Sequence, residues 1–253
     1  MGKSVTISVI TATYNCANTL PECFASVARQ DYTNYEHVVV DGASTDGTVR
    51  VISNHISQIA LYKSEPDNGI YDALNKGLQM ARGEVIGFLH GDDMYASNNV
   101  LSLIAHAFED PSVAAVYGDL TYVSKGNIDK VIRRWKSRVF NIRYLSLGWM
   151  PPHPSLYIRR EWYERFGGFD TSYRVSADYL HILKLFKQDK FISAYVPEVF
   201  VLMRVGGTSN KSLINIINKT LEDWKILRQS GFNMFYAVRA LIFKNISKIM
   251  QFI

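Results

Sequence analysis

Length, composition and charge limit the classes of protein to which the chain can belong. At 253 residues, with 47% hydrophobic and 20% charged residues, it can bury a substantial core as one α/β domain or as two halves. The lack of low-complexity tracts and of long runs of like charge excludes a disordered chain. Two cysteines, Cys16 and Cys23, are a poor disulfide framework, and no export signal is visible, so we expect a cytoplasmic protein.

The net charge of +5 comes from the last part of the chain. Residues 1–210 hold 21 basic and 21 acidic side chains, whereas residues 211–253 hold seven and two. A second basic cluster lies between Lys125 and Arg143. Because the excess is confined to these regions and no nucleic-acid-binding module is recognisable, we do not expect nucleic acid as a partner.

Apolar runs rich in β-branched residues alternate with helix-period segments in the first half, which predicts parallel strands joined by crossover helices. The predicted strands are residues 5–11, 36–41, 59–63, 84–90 and 114–117. Thr19 and Glu22 form a capping-box pattern around Pro21, which predicts a helix from there to about residue 29. Helical spacing predicts another helix over residues 70–81, ended by Gly83.

The second half of the chain has a different pattern. A hairpin is predicted at residues 120–135 with its turn at 125–127, followed by an irregular loop around residues 149–154. The remaining predicted elements are helices at 160–166 and 177–188, short strands at 191–195 and 198–204, and helical segments from residue 212 to the end.

Four polar clusters directly follow strand-like runs, namely residues 11–15, 41–48, 65–69 and 90–93. Ligands of open parallel sheets bind at the carboxyl ends of the strands, so these clusters predict one binding edge. Asp92 and Asp93 are the sharpest signal, because adjacent buried carboxylates need a cation or hydrogen-bond donors. Mg²⁺ or Mn²⁺ binds through one or two carboxylates plus substrate phosphates. The alternative for the pair is a turn, or the cap of a helix at residues 97–108.

Read in order, these clusters resemble the family-2 glycosyltransferases. The resemblance rests on Thr13-Tyr14-Asn15, residues 41–48, residues 67–77, residues 81–84 and the Asp92-Asp93 pair. Residues 153–156, 167–170 and 176–179 resemble landmarks of members that build bacterial polysaccharides. The implied fold is α/β of the GT-A type, a Rossmann-related and mostly parallel sheet flanked by helices. Residues 1–118 would bind the donor, 119–210 would hold the acceptor and base, and 211–253 would form a basic helical tail.

The resemblance implies a nucleotide-sugar donor, with UDP as the expected nucleotide. Asp41 would accept hydrogen bonds from the base, and Asp92 would face the ribose. The full implied donor-binding set is Thr11, Thr13, Tyr14, Asn15, Asp41, Ser44, Asp67, Lys76 and Asp92. Two alternatives stay open from the residues alone: Lys76 on a solvated helix face, and Asp67 as a helix N-cap.

The resemblance also implies a metal and a base. Asp93 would ligate Mn²⁺ or Mg²⁺ between the donor phosphates, and His153 would be a further metal or phosphate contact unless it only orders its proline-flanked loop. Asp178 would deprotonate the acceptor hydroxyl, unless it or Ser176 merely caps a helix. A base opposite the leaving diphosphate implies direct displacement with inversion. No Gln-x-x-Arg-Trp motif of processive synthases is present, so we expect addition of a single sugar.

The apolar residues 232–253 are interrupted by Arg239, Lys244 and Lys248. Because a spanning helix needs about 20 mostly apolar residues, we expect either an interfacial helix on anionic lipid or a terminal helix packed on the acceptor half. The resemblance implies a lipid-linked or polysaccharide-precursor glycan as acceptor, and a peripheral position on the cytoplasmic face of the inner membrane. The basic cluster at residues 125–143 would contact a lipid diphosphate or face solvent.

Two other functions remain open at this point. A nucleotidyltransferase also uses strand-end aspartates and a metal, but an early Gly-rich basic loop is lacking. A non-catalytic sugar-nucleotide-binding protein would not need both Asp93 and Asp178. A dehydrogenase is disfavoured because no G-x-G-x-x-G follows the first strand.

Overall fold

The computed structural model describes residues 4–205 and 213–249. The strands in these ranges are β1 (Ile7–Thr13), β2 (Tyr35–Asp41), β3 (Leu61–Ser64), β4 (Val85–Phe88), β5 (Met94–Tyr95), β6 (Val113–Ser124), β7 (Asn127–Trp135), β8 (Leu156–Arg159) and β9 (Ile192–Arg204). The α-helices are α1 (Leu20–Ala28), α2 (Thr48–Asn54), α3 (Ile70–Met80), α4 (Val100–Ala107), α5 (Arg160–Phe166), α6 (Ala177–Phe186), α7 (Leu213–Gln229) and α8 (Met234–Ile249). The predicted helix start at residue 212, residues 206–210 of the predicted acceptor half and the last four tail residues lie outside the described residues.

The strands form one sheet in the order β3-β2-β1-β4-β8-β6-β9-β5, with β7 paired to β6. β1 runs parallel to β2 and β4, and β2 runs parallel to β3. β8 is antiparallel to both β4 and β6, whereas β6 and β9 are parallel. The sheet is therefore parallel in its first half, as the alternation of strands and helices predicts, and mixed beyond β4, where the antiparallel β8 lies between β4 and β6.

Every residue of β1 is buried, because helices cover both faces of this part of the sheet. Successive side chains alternate between two core clusters. Val9 packs with Phe24 of α1 and Ile104 of α4, whereas Ile10 packs with Leu74 of α3. The β1 backbone thus ends in a rigid sheet, and the loop that follows it starts from a fixed position.

Two local predictions are wrong. Thr19 and Glu22 do not form a capping box: α1 has no side-chain cap, and Thr19 Oγ1 donates to Gly91 O at 3.0 Å instead. The two short strands near the end of the second half are one strand, β9, because the β6–β9 ladder continues across a register shift between Tyr117 and Asp119. A bulge absorbs Pro197, which cannot donate to the ladder.

The tail helices α7 and α8 pack on the rest of the fold. Asp223 of α7 and Lys244 of α8 form an ion pair at 2.8 Å with side chains only 4% and 10% exposed. Ala240 is fully buried, and a Cβ on Gly148 would lie 2.7 Å from its carbonyl oxygen. Within the described ranges, no helix has the length and apolar character needed to cross a bilayer.

Candidate active site

Asp41 lies at the carboxyl end of β2, beside the end of β1, where it pairs in register with Thr13. Its side chain is fully buried. Oδ1 accepts a hydrogen bond from Ser44 Oγ at 2.5 Å, and Oδ2 accepts from Ser44 N at 3.0 Å and from Ser64 Oγ at 2.6 Å. Asp41 therefore fixes the loop after β2, and a nucleotide base would have to use its remaining lone pairs.

The loops that follow β1 and β2 are hydrogen-bonded to each other. Asn15 N donates to Ser44 Oγ at 2.8 Å, and Thr45 N donates to Asn15 Oδ1 at 2.9 Å. Asn15 has φ of 51°, a left-handed conformation in which Asn is enriched. These contacts bring Asn15 and Ser44 together, as their predicted common role requires.

Tyr14 and Asp67 both lie close to Gly42, at the edge formed by the loops after β1, β2 and β3. A Cβ on Gly42 would lie 2.4 Å from Asp67 Oδ2 and 3.2 Å from the Tyr14 ring, and that ring is 62% exposed. Asp67 Oδ1 accepts from Gly69 N at 2.9 Å, and Gly69 is itself the N-cap of α3. The capping alternative for Asp67 is therefore wrong, since Asp67 lies two residues before the cap.

Lys76 points back to the loop that carries Asp67. Its Nζ donates to Pro66 O at 2.9 Å and lies 3.1 Å from Glu65 Oε1 and 3.4 Å from Asp72 Oδ2. Because the side chain is only 18% exposed, the solvated-face alternative is wrong. Lys76 holds the loop that carries Asp67 in place, and its direct contact with a donor stays a prediction.

Thr11 does not reach the surface of this edge, contrary to the implied donor-binding set. It is fully buried, with Oγ1 2.9 Å from Nε2 of His37, and burial lowers the pKa of His37 to about 4. The reason is its depth, two residues before the end of β1. Thr13 does reach the edge, beneath Gly91: a Cβ there would lie 2.8 Å from Thr13 Oγ1. This contact explains why glycine precedes Asp92.

Asp92 and Asp93 have different surroundings in the turn after β4. Asp93 is fully buried, and its Oδ1 accepts from Arg204 N at 3.2 Å. Its Oδ2 has no hydrogen-bond partner among the described residues. Burial, and then the charge of Asp92, raise the pKa of Asp93 well above its usual value. Asp92 is half-buried and accessible. Neither residue caps α4, whose N-cap is Asn99.

Arg204, at the end of β9, is a site residue that the sequence analysis missed. Its side chain is buried, Nη1 donates to Asp92 O at 2.7 Å, and Nη2 pairs with Glu22 of α1. These contacts fix the backbone of the carboxylate pair between β9 and α1. The available signal was its position, because it ends a predicted strand just as the four polar clusters do.

Asp178 lies in the first turn of α6 and does not cap it. α6 has Ser176 at its N-cap and no side-chain cap bond. Instead, Asp178 Oδ1 accepts from the Tyr71 hydroxyl at 2.9 Å, and the same hydroxyl lies 2.8 Å from Val175 O. Burial, and then the charge of Asp178, raise the pKa of Tyr71, so the phenol stays protonated and acts as a donor. The capping alternative for Asp178 and Ser176 is therefore wrong.

His90, two residues beyond the end of β4, is close to both acidic parts of the site. Burial lowers its pKa, and the charges of Asp92 and Asp178 oppose that shift. Tyr122 of β6 is also within range of both parts, because the charges of Asp93 and Asp178 add to the effect of burial in raising its pKa. Asp178 and the turn after β4 therefore belong to one charged region around His90 and Tyr122.

His153 is a buried imidazole behind this region. Its ring stacks on Phe88 with centroids 5.3 Å apart, meets Phe169 edge-on at 5.4 Å and lies 6.3 Å from the His90 ring. Burial lowers its pKa to about 4, so the ring is neutral at pH 7. The aromatic rings account for its packing, but its Nε2 has no hydrogen-bond partner among the described residues, so a metal or phosphate contact by His153 stays a prediction.

The donor atoms present suit a cation that also binds the substrate. Within the described ranges, no group of three or more His, Cys, Asp or Glu side chains is placed to hold a metal by itself. Mg²⁺ and related hard ions are commonly bound through one or two carboxylates, with phosphates and water completing the shell. The half-buried Asp92 carboxylate at the end of the sheet fits that mode.

Comparison with solved structures identifies the fold as that of GT-A glycosyltransferases. TarS 1–349 from S. aureus, in complex with UDP-GlcNAc, superposes with a TM-score of 0.69 at 18% identity, covering 95% of this chain and 72% of that one. The mannosyltransferase PcManGT from Pyrobaculum calidifontis, in complex with GDP-Man and Mn²⁺, gives a TM-score of 0.66 at 23% identity over 96% of this chain and 69% of that one.

Sequence comparison gives the family. The model of glycosyl transferase family 2 matches residues 8–174. The PGL/p-HBAD biosynthesis glycosyltransferase of Mycobacterium bovis is 30% identical over 240 residues, which are 93% of this chain and 88% of the relative. The chain therefore belongs to glycosyl transferase family 2, as the ordered strand-end motifs indicate.

Proposed function

We propose that the protein transfers one sugar from a nucleoside-diphosphate sugar, UDP-linked in the first instance, to an acceptor hydroxyl with inversion at the anomeric carbon. The observation that supports this proposal is that Asp92 and Asp178 both lie near enough to the buried His90 to act on its pKa, while Tyr71 holds Asp178 Oδ1 at 2.9 Å and Arg204 holds Asp92 O at 2.7 Å. Asp92 would then bind the metal that accompanies the diphosphate. Asp178 would be a separate carboxylate for the acceptor hydroxyl. The division into a donor half (1–118), an acceptor half (119–210) and a tail (211–253) is part of the proposal.

The donor is proposed to bind at the ends of β1 and β2. The exposed Tyr14 ring offers a flat surface for a base, and Asn15 and Ser44 hold its loop in place. Asp67 lies beside Gly42 at the same edge. Lys76 holds the loop of Asp67 through Pro66 O, and a direct contact of Lys76 with the donor stays a prediction.

For the metal, we propose Asp92 as the protein ligand in place of Asp93. A carboxylate that shares a cation with the donor phosphates must lie at the protein surface. Asp93 is fully buried, whereas Asp92 is partly exposed. Asp93 instead holds the β9 end through Arg204 N. Mn²⁺ or Mg²⁺ would stabilise the charge that develops on the departing diphosphate. A further contact of His153 with metal or phosphate stays a prediction, since its ring packs among aromatic rings while its Nε2 has no hydrogen-bond partner among the described residues.

Asp178 is proposed as the general base. Tyr71 holds Oδ1, which leaves Oδ2 to take the proton of an acceptor hydroxyl as its oxygen attacks the anomeric carbon. The C–O bond to the diphosphate breaks in the same step, so configuration inverts and no sugar–enzyme bond forms. The acceptor is proposed to be a lipid-linked or polysaccharide-precursor glycan.

Donor turnover tests this function. UDP-GlcNAc, GDP-Man and other nucleotide sugars are incubated with the protein and Mn²⁺ or Mg²⁺, with and without chelator, and release of nucleoside diphosphate is measured. One donor should turn over, and only with metal. Release of nucleoside monophosphate or pyrophosphate would indicate nucleotidyl transfer, and binding without turnover would indicate a silent binder; either result refutes the proposal.

We also propose that the tail contacts an anionic membrane through the outer face of α8, defined as Phe235, Val238, Ile242 and Ile246. These side chains are 70%, 41%, 51% and 49% exposed, an unusual density of apolar groups on a helix that already buries its other face. Both tail acids face inward, Glu222 toward backbone amides and Asp223 toward Lys244. Basic charge therefore dominates the outside of the tail, which complements anionic lipid.

Vesicle co-sedimentation tests the membrane contact. The protein should bind vesicles that contain anionic lipid more tightly than zwitterionic ones, and more weakly as salt increases. An Ile242→Ser variant should lose much of this binding, whereas Ile56→Ser, which removes an equally exposed side chain elsewhere (52%), should not. Equal binding of both variants and the parent would argue against this face.

A further inference from the structure

Glu222 of α7 binds the chain segment that leads into the helix of Asp178. Its Oε1 accepts from Arg174 N at 3.0 Å, and its Oε2 accepts from Val175 N at 3.0 Å and from Ser176 N at 2.9 Å. One carboxylate thus takes three consecutive backbone amides. Such charge-assisted bonds are about twice as strong as bonds between neutral groups.

These amides lie directly before α6, which has no side-chain cap of its own. A negative charge at a helix N-terminus is also stabilised by the helix dipole. Here the charge comes from a residue 46 positions away in sequence. The start of α6 is therefore fixed by the tail and not by local capping.

The same segment contacts the hydroxyl that orients Asp178. Tyr71 Oη lies 2.8 Å from Val175 O and 2.9 Å from Asp178 Oδ1. Glu222 accepts from the amide of Val175, and the carbonyl oxygen of the same residue competes with Asp178 Oδ1 for the single proton of the Tyr71 hydroxyl. A shift of this peptide would move both the start of α6 and the hydrogen bond to the carboxylate.

We infer that Glu222 is a positioning residue for Asp178: through the amides of residues 174–176 it sets the geometry of Asp178 and Tyr71 for proton transfer. The inference rests on the proposed role of Asp178 as base. The tail would therefore position the base through Glu222, in addition to its proposed contact with the membrane. Misplacement by about 1 Å can cost on the order of 100-fold in rate.

A double-mutant cycle tests this role. Glu222→Gln keeps one acceptor oxygen, Glu222→Ala removes both, and Tyr71→Phe removes the hydroxyl from Asp178. Turnover is followed as nucleoside-diphosphate release with the donor that the panel identifies, water serving as acceptor, and calorimetry counts the donor-binding sites. We expect kcat to fall about 10- to 100-fold in Glu222→Ala and less in Glu222→Gln, with donor KM unchanged. Leu221→Ala, at an exposed neighbour on α7, should behave as the parent.

The cycle separates a positioning role from a merely structural one. If Glu222 acts through Tyr71 and Asp178, the Glu222→Ala/Tyr71→Phe double variant should lose little more than the worse single variant. Multiplying effects, or a fall in kcat that matches a loss of donor-binding sites, would overturn the inference. Full kcat in folded Glu222→Ala would also overturn it. If Asp178→Asn retains full turnover, the proposed function fails; if Asp178→Asn is inactive and Glu222→Ala is active, only this inference fails.

Discussion

Exchanging each carboxylate of the Asp92–Asp93 pair for an amide separates their roles. Asp92→Asn removes the accessible carboxylate, so metal-dependent turnover should collapse while the fold is kept. Asp93→Asn retains an oxygen that can accept from Arg204 N, the contact that Oδ1 makes at 3.2 Å. We therefore expect turnover in Asp93→Asn to stay within about threefold of the parent, well below the loss from removing a group that stabilises a developing charge.

The expected magnitudes differ enough to decide between the two residues. Removing one group that stabilises developing charge costs about 10²–10³ in kcat, or about 2.7–4 kcal/mol, and this is the expectation for Asp92→Asn. Asp93→Asn should instead raise stability, because burial and Asp92 raise the pKa of Asp93. A raised carboxyl pKa means that ionisation opposes folding, so the gain should be absent near pH 3 and grow as pH rises above about 4.

The assays are nucleoside-diphosphate release with Mn²⁺ or Mg²⁺, and thermal unfolding in chelator between pH 3 and pH 8. Each 1 kcal/mol gained should raise Tm by about 2–4 °C for a chain of this size. Loss of turnover in Asp93→Asn with full turnover in Asp92→Asn would refute the assignment. A Tm difference independent of pH would refute the account of the buried charge.

Three further predictions concern the base and the tail. Asp178→Asn should stop turnover and leave donor affinity, measured by calorimetry, within a few-fold of the parent. Lys244→Met should destabilise the protein by about 3–5 kcal/mol, since it leaves Asp223 buried without its partner at 2.8 Å; the Lys244→Met/Asp223→Asn double variant should recover most of the lost Tm, and failure to recover would contradict the pairing. Burial opposes the charges of Lys244 and Lys219, which together lower the pKa of Asp223. The ionised Asp223 therefore stabilises the fold above about pH 4, and this contribution is lost as pH falls. The Tm of the parent should fall more than that of the double variant between pH 5 and pH 3.

Local pattern was sufficient to predict the parallel strands β1–β4 and the helices α1 and α3, but not α2 or β5. β1, β2 and α3 lie within two residues of their predicted bounds, because fully buried strands and an amphipathic helix have strong periodicity. The edge at which Thr13, Asp41 and Asp92 gather follows from parallel pairing alone. Thr11 was misassigned because predicted strand ends are uncertain by a few residues. β1 ends at Thr13, so Thr11 lies two residues inside the strand and is buried in the core.

Other features depend on contacts that no local pattern encodes. Arg204 reaches Asp92 across 112 positions, and Glu222 reaches Ser176 across 46. In the sequence, nothing distinguishes Arg204 or Glu222 from charged residues on the protein surface. The different burial of Asp92 and Asp93, which decides the proposed ligand, likewise depends on β9 lying beside the turn.

The Asp223–Lys244 pair has a practical consequence for anyone who handles this protein. Deleting α8 to reduce aggregation would leave Asp223 buried without Lys244. It would also expose the surface that Ala237 and Ala240 now cover. Polar substitutions at Phe235 or Ile242 would increase solubility, because both side chains are exposed. They would leave the Asp223–Lys244 ion pair intact.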